Sequence, residues 1–146
     1  MQKQRGFTFI EVLTVLAIIA IATIGSLAAR DWAVGNSRVS EAKSQIITIQ
    51  SGILLWRPKN GDFTGISVAS MSGLAAVPET WGTGIGLNPW GGDISVEADS
   101  ADSSRYIVVM SGIDKVGEGA RLARDFADYA LDTDFSNGNL VLSFQG

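Results

Sequence analysis

The sequence predicts an α+β chain in which one long N-terminal helix, membrane-spanning over its first half, packs by its second half on a small antiparallel sheet carrying a short C-terminal helix. Three observations lead there. From Phe7 to Ala29 the only charge is Glu11, and a helix over that stretch is about 34 Å long, enough to cross a bilayer. From Trp32 onward, Gly35, Val39, Ala42, Ile46, Ile49, Ile53 and Trp56 recur at spacings of three and four, the seam of a helix packed on a partner. Beyond Asn60, turn-forming residues alternate with short runs of strand periodicity.

Arg38, Glu41, Ser44, Gln45 and Ser51 fall off the seam, so a single helix is expected from about Phe7 to Trp56, roughly 75 Å long. Pro58 stops it, because the residue before proline avoids the helical region, and Asn60-Gly61 makes a turn. The first half has nothing of its own to pack on; its partner must be lipid or other copies of the chain. Lys3 and Arg5 precede the apolar run, whereas Arg30 and Asp31 after it cancel, which puts the N-terminus in the cytoplasm and everything from Arg30 onward outside.

Asn60 to Trp90 reads as a long connection, with Ser67 placed to cap a short helix through about Ala75. Trp81 and Trp90 read as packing anchors. Asn88-Pro89-Trp90-Gly91-Gly92-Asp93 is a turn, followed by a hairpin of Asp93–Ala98 and Arg105–Met110. Asp114 to Leu131 has helical periodicity with Val116, Ala120, Ala123, Ala127 and Ala130 inward, and Leu140, Leu142 and Phe144 mark a last strand. The stretch from Ala130 to Asn139 reads as an acidic turn before it.

Composition narrows the function. The chain holds no cysteine and no histidine, so thiol chemistry, cysteine-bound zinc and the commonest neutral-pH acid/base group are absent. No paired acid, nucleophile or metal-ligand spacing stands out, and an enzyme and a cofactor are not expected. From Asn60 to the end twelve acids face four bases, a charge of −8 that repels phosphates and disfavours nucleic acid as a partner. Arg105, Arg121 and Arg124 are the residues from which a local basic patch would be built. Gly82-Thr83-Gly84 and Gly91-Gly92 imitate phosphate loops, but neither is followed by a lysine or a helix start.

Ahead of the apolar run stands Gly6-Phe7-Thr8-Phe9-Ile10-Glu11. This stretch resembles the class III leader of type IV prepilins and pseudopilins, and the β-β-α-β order and Pro-Trp-Gly turn are similar to the layout of type IVb pilins and of major pseudopilins. The resemblance implies the pilin fold, cleavage between Gly6 and Phe7 by a prepilin peptidase, N-methylation of Phe7, storage in the bacterial inner membrane, and self-association into a helical filament with the inner-membrane assembly machinery as partner. The filament would be an extracellular pilus; a periplasmic pseudopilus of type II secretion, or a minor or tip subunit acting in adhesion or DNA uptake, are the alternatives. Loss of Lys3 and Arg5 with the leader takes the side-chain charge from −4 to −6.

Four segments are expected: a leader at 1–6, a transmembrane and assembly half at 7–29, an amphipathic half at 30–57 and a globular head at 58–146. Physical reasoning leaves Glu11 as a carboxylate reaching the headgroups; the resemblance implies that it neutralises the Phe7 ammonium of a neighbouring subunit. The tail Asp132, Asp134 and Asn137 is either a structural turn or, as the resemblance to major pseudopilins implies, a weak calcium candidate; position six of an EF-hand-like count is Asn137 rather than glycine.

Overall fold

The computed structural model describes residues 5–146; residues 1–4, which include Lys3 of the expected leader, lie outside the described residues. By internal contacts the chain divides after Gly35 into two units. Helix α1, Phe9–Trp56, is continuous through Gly25-Ser26 and Gly35-Asn36.

In the first unit every described residue up to Val34 is exposed, Phe7 to 89%. Long and apolar enough to cross a membrane, α1 meets its surroundings here with alkyl and aromatic side chains. The hydroxyls are satisfied internally: Thr14, Thr23 and Ser26 donate to the carbonyls of Ile10, Ile19 and Ala22 at 2.8, 2.8 and 2.9 Å. Such back-bonding removes the cost of bringing a polar group into hydrocarbon.

In the second unit the seam of α1 is buried as expected from Val39 to Ile53. Val39, Ala42, Ile46, Ile49 and Ile53 are each at most 2% exposed, and each of the larger ones contributes about 1.5–3 kcal/mol by leaving water. Two positions differ from expectation. Trp32 lies outside the seam at 74% exposure, because it precedes the first residue of the head and has no core to meet. Gln45 is buried rather than off the seam, its Nε2 donating to the Leu87 carbonyl at 2.9 Å; it flanks the apolar stripe on the side where the long connection crosses. After Trp56 the helix stops at Pro58, and the Gly61 amide closes a turn onto the Pro58 carbonyl.

The connection carries α2, Val68–Gly73, with Ser67 as N-cap in a reciprocal capping box with Ser70. It ends two residues earlier than expected: Ala75 takes a left-handed φ of 54°, and the Ala76 amide turns back to the Met71 carbonyl. A single 3₁₀ turn follows at Glu79–Trp81.

The sheet has four antiparallel strands in the order β1-β2-β4-β3. Strands β1, Ile94–Ala98, and β2, Arg105–Met110, form the expected hairpin, with Ile94 opposite Met110. Strand β4, Asn139–Gln145, completes the core, pairing Val108 with Leu142. Ile94, Val96, Tyr106, Val108, Met110, Leu140, Leu142 and Phe144 are buried in one cluster with the α1 seam. Burial pushes the Tyr106 phenol up to about 12, against a hydrogen bond from Gln50 that lowers it.

Strand β3, Asp132–Ser136, was not expected; the acidic stretch is an edge strand and not a turn. Only Asn137-Gly138 turns, with φ of 50° and 76°, the pair of positive angles that a two-residue hairpin of this hand requires. Helix α3 is shorter than expected, Val116–Phe126, and faces differently. Gly119, Leu122 and Phe126 are buried, while Val116 and Ala120 are exposed. The two largest apolar side chains, four residues apart, choose the face, and the Phe135 ring of β3 occupies the space where a Cβ on Gly119 would stand.

Candidate functional site

Residues 5–8 form no regular structure, and Gly6 has no atom near the place of a Cβ. The helix start is built by Thr8 and Glu11. The Thr8 amide donates to Glu11 Oε2 at 3.0 Å, and the Glu11 amide donates to Thr8 Oγ1 at 3.2 Å. This is a reciprocal capping box, satisfying an otherwise unpaired helix-end amide and placing a negative charge against the positive end of the helix dipole. Glu11 thus has a partner within its own chain, a helix-capping contact different from the two expected from the sequence. The signal was in the sequence as Thr-x-x-Glu. Gly6, Phe7 and Glu11 are all exposed.

The head organises three further clusters. Asn88, 4% exposed, accepts the Trp90 and Gly92 amides at 3.0 Å each through Oδ1 and donates through Nδ2 to the carbonyls of Ser111 and Asp93 at 2.5 and 3.2 Å. It pins the Pro-Trp-Gly turn to the strands, and Trp90 Nε1 reaches Glu118 Oε2 of α3 at 2.6 Å. Trp81 and Trp90 are partly buried against the core. The two phosphate-loop imitations are used within this scaffold: the Gly84 carbonyl accepts the Ile94 amide, and Gly91 and Gly92 belong to the Asn88 turn.

Asp125 of α3 collects Lys43 of α1 in an ion pair, Arg124 at 3.6 Å and Arg121 at 3.9 Å. The Lys43 hydrogen bond, with the nearby cations, holds its carboxyl below the ordinary carboxylate range. Arg105 is not part of this group; it pairs with Asp102 at 3.3 Å. The three arginines considered for a basic patch therefore divide, and each is tied to an acid of the head.

Asp132 and Asp134 lie on the exposed face of β3, and Asn137 lies in the turn. Asp134 Oδ2 accepts from Ser136 Oγ at 2.8 Å, and Asp132 Oδ1 from the Thr133 amide at 3.0 Å. Residues two apart on a strand stand about 6.5–7 Å apart, and among the described residues no group of three or more acidic side chains is gathered to hold a cation.

The fold and the N-terminal segment together define a class: an α+β chain of pilin-like layout, a long helix packed on a four-stranded antiparallel sheet with a short helix. Residues 1–27 match the prokaryotic N-terminal methylation motif. The chain carries the class III prepilin leader, typical of type IV pilins and pseudopilins. No curated protein and no solved structure matches it. The motif is that of a structural subunit rather than an enzyme, and leader and apolar helix together support anchoring in the inner membrane.

Proposed function

We propose that the chain is a pilin-like structural subunit that is cut after Gly6, methylated on Phe7, held in the inner membrane with its N-terminus in the cytoplasm, and assembled through its N-terminal helix into a filament. The observation that carries this reading is the methylation motif leading into a helix on which every described residue up to Val34 is exposed. A surface of that size does not stay in water; it needs lipid in one state and copies of itself in the other. The exposure of Arg5–Thr8, outside any helix or strand, supports access by a peptidase.

In the assembled state Glu11 neutralises the Phe7 ammonium of an adjacent subunit. Mass spectrometry of filaments sheared from cells tests the proposal: the N-terminal peptide should begin at a methylated Phe7. An intact Met1 terminus in assembled material would refute it. Electron microscopy of wild-type and deletion cells then reads whether the fibre reaches the cell surface, as a pilus, or stays in the periplasm, as a pseudopilus.

A further inference from the structure

Of the four tryptophans, Trp56, Trp81 and Trp90 pack against the head core, whereas Trp32 is 74% exposed. Its place along the helix is specific. Trp32 follows the apolar run by three residues, directly after Arg30 and Asp31, and neither of these makes an ion pair among the described residues. Gly35, three residues later, is the first buried position. The indole therefore sits in the short interval that belongs neither to the apolar surface nor to the head.

We propose that Trp32 is an interfacial anchor, docking in the headgroup layer of the outer leaflet and setting how deep the helix lies in the membrane; this rests on the membrane-held state proposed above. The distances agree. From the first residue of α1, Phe9, Trp32 is about 35 Å along the helix axis, or about 32 Å along the bilayer normal at an average tilt of roughly 20°. With Phe9 at one hydrocarbon boundary, a core of about 30 Å ends near residue 29, and headgroup layers bring the total to about 40–45 Å. Trp32 then lies about 2–5 Å past the far boundary, inside the headgroup layer. An indole fits that layer because its ring is apolar and its N–H needs an acceptor, which phosphate, glycerol ester and water supply. Arg30, two residues before it, can lay its methylenes along the chains and raise its charge to the phosphates.

The test uses the full-length protein in phospholipid vesicles whose acyl chains carry bromine either near the headgroup or near the chain end. Tryptophan emission is compared between wild type and Trp32→Phe, so that the difference reports Trp32 alone, one of the four fluorophores. Because Trp32 is exposed, the variant should keep its fold; equal far-ultraviolet circular dichroism checks this, and Trp32→Tyr takes its place if the check fails. The protein should float with the vesicles, and the difference emission should be quenched at least twofold more by the shallow bromine than by the deep one. Flotation with a difference signal that neither lipid quenches overturns the anchor while leaving the membrane-held state standing. Stronger quenching by the deep bromine also overturns it. A protein that does not float overturns the anchor and the membrane-held state together.

Discussion

Substituting Glu11 separates two jobs that the structure and the filament proposal give to one carboxylate. Within the chain, Glu11 Oε2 accepts the Thr8 amide at 3.0 Å; in the filament its charge would neutralise an ammonium. Glu11→Gln keeps an oxygen that can accept the amide and removes the charge. Thr8→Ala removes the reciprocal hydroxyl and keeps the charge, whereas Glu11→Ala removes the acceptor oxygen and the charge. Loss of a helix-start cap costs about 0.5–2 kcal/mol, and an α1 of 48 residues absorbs it as fraying of the first turn. Breaking a desolvated ion pair costs about 3–5 kcal/mol, which weakens each subunit addition by a factor of roughly 100 or more. Membrane-fraction and sheared-filament levels should therefore show Glu11→Gln and Glu11→Ala equally filament-poor with undiminished membrane pools, since removing a charge eases insertion. Thr8→Ala should assemble at a reduced but measurable level. Thr14→Ala, whose hydroxyl bonds only its own helix, is the control. Wild-type filament yield from Glu11→Gln alongside failure of Thr8→Ala would refute charge pairing and leave the helix cap as the reason for Glu11.

Three predictions concern the head. Gly119→Ala should lower its stability by about 1–3 kcal/mol in urea unfolding, since the new methyl meets the Phe135 ring, while Gly117→Ala, with open space around it, should be neutral or raise stability by up to about 1 kcal/mol. Asn88→Ala should cost about 1–3 kcal/mol for each buried group it leaves unpaired, among the Trp90 and Gly92 amides and the Ser111 carbonyl, and Trp90 fluorescence should shift to the red. Lys43 lowers the Asp125 carboxyl below its ordinary value of 3.8, so this contribution is complete above that value and disappears as pH falls through the lowered one; Lys43→Met should flatten the acid limb of a stability-against-pH curve below about pH 4.

What the sequence made legible followed from periodicity carried by large side chains. The α1 seam, the β1–β2 hairpin and β4 all alternate or recur with Ile, Val, Leu and Phe, and those positions are the core. The failures share a cause in the other direction. Alanines at helical spacing in α3 suggested a face, but Leu122 and Phe126 bury more area and set the rotation. β3 presents Asp132 and Asp134 outward and contributes only Phe135 as a large apolar group; an edge strand defended by charge looks like a loop in one dimension. Its signal was Asn137-Gly138, the dipeptide of a tight hairpin. Asn88 and Gln45 could not be found by pattern at all, because their partners, Ser111 and Leu87, are 23 and 42 residues away.

At the N-terminus the same reasoning bears on the proposed assembly, in which polar groups would have to direct it. If the chain passes from membrane to filament as proposed, the apolar side chains of the first unit exchange lipid for other copies, and hydrocarbon is as apolar as leucine; moving between them gains little from the hydrophobic effect. The hydroxyls would be neutral in this exchange too, since Thr14, Thr23 and Ser26 already bond their own helix. What differs is the charged end. In a membrane the Glu11 carboxylate, four residues from Phe7, can stay near headgroups and water, but inside a filament it must be neutralised. In the proposed filament, a neighbour displaced along the axis by the separation of Phe7 and Glu11, four residues apart, would bring its Phe7 ammonium level with that carboxylate. The helix surface would thus leave the axial register of subunits free, and one charge would select it.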